Sequence, residues 1–121
     1  MNWIAILILA ALLAAIILLR RSGLIAPAEA AAHLKNGALV IDVRTAGEFS
    51  SGHLSNAINL PLDEIEAALP RRVKDKRQVL LLHCQAGGRS RQAVKKLIAL
   101  GYVNACNLGS YARAAQIVDG K

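Results

Sequence analysis

The chain has 121 residues, too short for two ordinary domains and long enough for one with a real core. It is 55% hydrophobic yet carries a formal charge of +7, from 15 Lys+Arg against 8 Asp+Glu, which excludes an acidic disordered tail or a low-complexity linker. Two cysteines and three histidines with no C-x-x-C pair exclude a disulfide-stapled scaffold or a zinc ribbon, and the few aromatics (Trp3, Phe49, Tyr102, Tyr111) exclude a nucleic-acid surface built on stacking. No metal, organic cofactor or nucleic acid is expected.

Ile4 to Leu19 is an unbroken apolar run of 16 residues. As a helix it is about 25 Å long, at the short end of a membrane span. Trp3 stands at one end, where an amphipathic ring suits the headgroups, and Arg20-Arg21 at the other. A core helix carries a polar stripe, and this run has none. Residues 1–21 therefore read as a single transmembrane anchor touching lipid through residues 3–19, and residues 22–121 as one domain. The paired arginines place that domain on the cytoplasmic side of an inner or plasma membrane. The rival is a cleaved signal peptide and export, because Ala26-Pro27-Ala28 resembles a cleavage site. Against it, no Lys or Arg precedes the run, and the run exceeds the usual stretch of about 7–15 residues. Residues 22–121 hold 13 basic and 8 acidic side chains, net +5. A basic face near anionic lipid is worth about 1 kcal/mol per well-placed charge, and a merely solvated surface fits the composition equally well.

Beyond Ser22-Gly23 the pattern alternates. A helix is predicted over residues 27–35, ended by Asn36-Gly37. Ala38 to Val43 reads as a buried strand. Thr45 and Glu48 have capping-box spacing and open a short helix. A second strand spans residues 57–60, stopped by Pro61. Asp63-x-x-Glu66 opens another helix that should close before Pro70, leaving Arg71 to Arg77 as an exposed loop. Val79 to His83, nearly all apolar, is the central strand. A helix running to Leu100 follows, with Ala93, Val94, Leu97 and Ile98 on its apolar face. A strand over residues 105–108 and a helix over 110–118 close the series. This alternation predicts an α/β fold, a parallel sheet of four to five strands with helices on both faces.

The chemistry gathers after the central strand, in Cys84-Gln85-Ala86-Gly87-Gly88-Arg89-Ser90. Ligands of parallel α/β sheets bind beyond the carboxyl ends of strands. Two glycines let successive N–H groups turn inward, and with the positive end of the next helix they form an anion cradle. A cysteine beneath that cradle ionises below the free-thiol value of about 8.5. Arg89 adds charge and a fork of donors. Such a loop makes a nucleophilic thiolate and stabilises an anion attached to it.

These residues resemble the rhodanese family of single-domain thiosulfate sulfurtransferases. The likeness runs from Pro27 to about Leu108 through Leu39-Val40-Ile41-Asp42-Val43-Arg44 with Glu48-Phe49, Gly52-His53-Leu54-Ser55-Asn56-Ala57-Ile58-Asn59-Leu60-Pro61, the segment from His83 to Ser90, and Gly101 to Leu108. The resemblance implies a rhodanese-like fold in which Cys84 takes a sulfane sulfur from thiosulfate or another donor. Cys84 then holds the sulfur as a persulfide and passes it to cyanide or a thiol. Gln85, Ala86, Gly87, Gly88, Arg89 and Ser90 would cradle it. Two other readings stay open: a non-catalytic binding or regulatory module at the membrane, and a phosphatase-like enzyme. Related phosphatases and arsenate reductases of this fold use C-x5-R. The C-x4-R spacing here should seat a single sulfur and crowd a phosphate. The chain departs from the family in having Gly109-Ser110-Tyr111 where many members have a Gly-Gly pair and a Trp. Gln85 is neutral where many have a basic residue, which leaves Arg89 as the main charge.

The remaining polar residues read as structural. Alternation puts His83 on the face opposite Cys84. His53 should bond its own turn. Asp42 and Arg44 should pair at the site edge and support the loop, with substrate contact as the lesser reading. Cys106 reads as a core residue rather than a partner for Cys84.

Overall fold

The computed structural model describes residues 2–120, with the side chains at 19–22 outside that description. The elements in chain order are α1 (Trp3–Ser22), α2 (Pro27–Lys35), β1 (Leu39–Asp42), α3 (Ala46–Ser50), β2 (Ile58–Asn59), α4 (Ile65–Arg72), β3 (Leu80–His83), α5 (Gly88–Ala99), β4 (Ala105–Gly109) and α6 (Tyr111–Val118). The four strands are parallel in the order β2-β1-β3-β4, which makes β3 internal and buries all its side chains. A fifth strand is reduced to one parallel bridge, Leu24 to Asn107, where the Ile25 N–H donates to the Asn107 carbonyl at 3.0 Å.

Side chains alternate across this sheet. Ile41, Leu80 and Leu82 pack on one face against Ile65 and Leu69 of α4 and Ala93 and Leu97 of α5. Val40, Leu81 and Leu108 pack on the other against Ala30 of α2, Leu54 and Ala114 of α6. Leu80, Leu81 and Leu82 are wholly enclosed, each contributing about 1.5–3 kcal/mol of transfer free energy. The capping box forms as read: the Glu48 N–H donates to Thr45 Oγ1 and the Thr45 N–H to Glu48 Oε1, each at 3.2 Å.

Several local expectations fail. Helix α4 starts at Ile65 and runs through Pro70 to Arg72, although it was expected to open at Asp63 and stop before the proline. Pro70 sits in an eight-residue helix and forfeits only the bond to the exposed Glu66 carbonyl, while Ile65 and Leu69 are held in the core. Arg71 and Arg72 then belong to the last turn, where cations suit the helix dipole, and the exposed basic loop shrinks to residues 74–77. Helix α5 begins at Gly88, inside the expected loop, so Arg89 and Ser90 are helical. Its buried face is Ser90, Ala93 and Leu97, and Ile98 turns out to solvent.

The predicted anchor is not supported among the described residues. Among the described residues no helix is long and apolar enough to cross a membrane. Leu19 and the Arg20-Arg21 flank lie outside the described side chains. The described apolar side chains of α1 are not packed on the domain: Trp3 is 78% exposed, and Ile4, Leu7, Leu12 and Leu18 are exposed with it. The core-helix reading is thereby excluded.

Candidate active site

Strand order places the site. From β1 the sheet extends to β2 on one side and to β3 on the other, so a crevice opens beyond the carboxyl ends of β1 and β3. Asp42 and Arg44 stand at the first end and Cys84 at the second. The Cys84 N–H donates to the Gly109 carbonyl at 3.2 Å, fixing the residue to β4 before the chain turns. The turn depends on Gly87, the N-cap of α5, at φ +100°, a left-handed conformation costly for residues with a Cβ. That conformation aims the Gly87 N–H at Cys84 Sγ, 2.9 Å away. The Ser90 hydroxyl lies 3.5 Å from the same sulfur. Cys84 is only 1% exposed. Burial alone would push its thiol up. Hydrogen bonds from the Ser90 hydroxyl and from the N–H groups of Ser90, Gly87 and Ala86 outweigh burial and hold the thiol below its ordinary value.

Gln85, Ala86 and Gly88 are exposed along the rim. The Gln85 carbonyl accepts from the Tyr111 N–H at 3.1 Å, and Ala86 bridges Ser110. Arg44 reaches the loop from two residues beyond β1. Its Nη1 donates to Gln85 Oε1 at 3.3 Å, and its guanidinium lies 4.6 Å from the Tyr111 ring centre. The same guanidinium is held by Asp42, with Nε 3.0 Å from both carboxylate oxygens and Nη2 2.8 Å from Oδ2. The pair is buried and tethers Gln85 of the loop.

Arg89 does not act as the open fork that sequence reading gave it. Its Nη1 and Nη2 donate to Glu48 Oε1 and Oε2 at 2.6 and 3.0 Å. The Arg89 fork, with the Thr45 N–H next, brings the Glu48 carboxyl down to about 2. Both arginines at the mouth are thus neutralised by carboxylates, and main-chain N–H groups and one hydroxyl remain to stabilise the thiolate.

His83 lies opposite Cys84, edge-on to Tyr111, with Nδ1 3.3 Å from the Cys84 carbonyl oxygen and Nε2 3.8 Å from Asp42 Oδ2. Desolvation lowers its pKa, with Asp42 opposing. His53 stacks on Phe49 and bonds the Phe49 carbonyl oxygen at 3.0 Å, inside its own turn. Cys106 is half-buried on β4, packed against the α2 and α6 side of the core, and unbonded to Cys84. Sequence reading missed Glu48 as the partner of Arg89, because its capping role accounted for it. Tyr111 was missed as well; its place just after a Ser N-cap was the available signal.

The two cysteines offer a pH test. Cys84 lies below the ordinary thiol range, whereas burial and the charge of Glu29 raise Cys106. A depressed pKa keeps the thiolate as pH falls, and a raised one loses it early. Iodoacetamide should therefore modify Cys84 well ahead of Cys106 between about pH 7 and 8.5, read by peptide mass mapping. Equal decline at both sites would contradict the cradle.

A cysteine at the carboxyl end of an internal parallel strand, beneath inward N–H groups and a helix N-terminus, defines an α/β domain built to hold an anion on sulfur. The rhodanese-like domain profile matches residues 26–113, and the chain belongs to that family. It is 36% identical over 69 residues to the thiosulfate sulfurtransferase PspE of Escherichia coli, covering 57% of this chain and 66% of that protein, just under two thirds of its length. It is 32% identical over 87 residues to the human thiosulfate:glutathione sulfurtransferase, covering 61% of this chain and 76% of that one. A human single-domain sulfurtransferase structure superposes with a TM-score of 0.65 at 28% identity, over 78% of this chain and 96% of that chain.

Proposed function

We propose that this chain is a sulfurtransferase that carries a sulfane sulfur on Cys84. The observation that carries the reading is the Gly87 N–H at 2.9 Å from Cys84 Sγ, together with the lowered thiol pKa. The Cys84 thiolate attacks the outer sulfur of thiosulfate. The S–S bond of the donor breaks, and its electron pair leaves on sulfite. The persulfide anion formed takes hydrogen bonds from the loop Ala86 to Ser90. An incoming cyanide or thiolate attacks the outer sulfur, and the Cys84–S bond returns its pair to the Cys84 thiolate. The activities after which the E. coli and human relatives are named support this chemistry.

Mass spectrometry of the intact protein after thiosulfate treatment tests it. A gain of one sulfur, about 32 Da, on the peptide holding Cys84 is expected. Absence of an adduct with thiosulfate and with an organic persulfide favours the binding-module reading. The C-x4-R loop disfavours phosphoryl transfer, and turnover of an aryl phosphate would reverse that.

The paired charges at the mouth lead to a further result. Glu48→Gln keeps a capping-box residue at that position but removes the carboxylate from Arg89. The freed guanidinium is within electrostatic reach of Cys84. The KM for dianionic thiosulfate should fall by about 3–10-fold, the effect of one partly screened charge. A KM unchanged at low salt would show that Arg89 stays away from the donor.

We also propose that α1 seats the protein in a membrane with residues 22–121 as the catalytic domain on the cytoplasmic side. The exposed apolar side chains from Trp3 to Leu18 support attachment, and Arg20-Arg21 support the sidedness. Lys95→Cys on exposed α5, with Cys84 and Cys106 replaced by serine, should stay unlabelled by an impermeant maleimide on intact cells. Labelling from outside would favour export.

A further inference from the structure

The two arginines at the thiol mouth are paired, and two others behind the loop are not. A cavity of about 370 Å³ lies at the β4 edge of the sheet, lined by Leu24, Gly87, Gly88, Arg91, Asn107, Ser110 and Arg113 among others. Among the described residues no carboxylate lines it. Among the described residues Arg91 and Arg113 take part in no ion pair. Arg113 spends Nη1 on the Leu108 carbonyl at 2.7 Å and Nη2 on the Ile25 carbonyl, which fixes its guanidinium without neutralising it. Asn107 is 2% exposed. Its Oδ1 accepts from the Gly109 N–H at 2.9 Å, and its Nδ2 has no hydrogen-bond partner among the described residues. The amino termini of α5 and α6 meet at the same place.

We propose that this cavity is a second anion site, behind the persulfide loop and separate from the thiol mouth, that takes a phosphate-type oxyanion. Its donors are the Arg91 and Arg113 guanidiniums, the Asn107 carboxamide nitrogen and the Ser110 hydroxyl. A dianion with several acceptor oxygens answers this set, because two uncompensated guanidiniums and an orphan amide at one concavity call for charge and multiple lone pairs together. Cys84 does not line the cavity; Gly87 forms a wall between the two. Leu24, two residues beyond the end of α1, closes another side. The oxyanion therefore has two sources of the same chemistry, a lipid headgroup at the foot of α1 or free phosphate.

The site is tested on the full chain in a neutral detergent by titrating inorganic phosphate calorimetrically into Cys84→Ser, in which no sulfur chemistry competes. Saturable binding is expected, weakened at least tenfold by Arg91→Gln. Arg91 is exposed and makes no side-chain hydrogen bond among the described residues, so that variant should melt with its parent. Arg91→Glu should abolish binding. Moving the protein into phosphatidylglycerol bilayers separates the sources: lost phosphate uptake identifies the headgroup as occupant, and retained uptake identifies the free anion. Absence of saturable binding in detergent, or equal affinity in Arg91→Gln, overturns the proposal. Because the measurement uses a chain without the thiol, it stands or falls independently of sulfur transfer.

Discussion

Cys84→Ser should reduce thiocyanate formation from thiosulfate and cyanide to the uncatalysed rate, a loss on the order of 10³-fold or more. The substitution exchanges one atom at a site that donates its N–H to the Gly109 carbonyl and receives the Gly87 N–H, so the fold loses little. What disappears is the nucleophile. A serine hydroxyl is not ionised near neutral pH, and the cradle that lowers a thiol by hydrogen bonds cannot bridge the gap to an alkoxide. No serine analogue of the persulfide forms by the same exchange, because the reaction breaks one S–S bond and makes another. The variant should also fail to gain the sulfur adduct on thiosulfate treatment while melting close to the parent. A variant retaining the parent rate would assign the chemistry to another group and leave the loop as a binding surface.

Much of the fold was legible because its local signals agreed with its global layout. The Thr45–Glu48 box, the glycine after α2 and the apolar run of β3 each reported a local structure that tertiary packing then kept. Pro70 misled because a proline rule written for helix interiors weakens in a short helix whose preceding residue, Leu69, is wholly buried. Ile98 misled because a helical face drawn from apolar residues is wider than the strip the sheet covers. In the site, residues joined by the chain were readable: Cys84 and its loop are contiguous, and Asp42 and Arg44 are two apart. The Arg89–Glu48 pair joins residues 41 apart, and the Tyr111 face on Arg44 joins α6 to the segment just after β1. Such pairings depend on strand order, which no local motif carries. The cavity behind the loop was invisible for the same reason, since it is assembled from the segment before α2, the turn into α5 and the end of β4.

The other large effect is expected from Asp42→Ala. Asp42 is wholly buried and accepts from the Arg44 N–H at 2.9 Å as well as from the guanidinium. Removing the carboxylate leaves a buried cation without its partner, at a cost of about 3–5 kcal/mol, a large share of a typical domain's stability of about 5–15 kcal/mol. For a domain near 100 residues the melting temperature should fall by more than about 10 °C. Transfer activity should fall too, because Arg44 is what ties Gln85 Oε1 and the Tyr111 ring to β1. The double replacement Asp42→Leu with Arg44→Met separates the two effects. Exchanging both partners for apolar groups removes the orphan charge and should restore most of the stability. It does not restore the tether to Gln85, so kcat should stay low. Full recovery of kcat along with stability would show that the pair serves packing alone. A melting temperature for Asp42→Ala within about 2 °C of the parent would mean that water reaches Arg44, contrary to its burial.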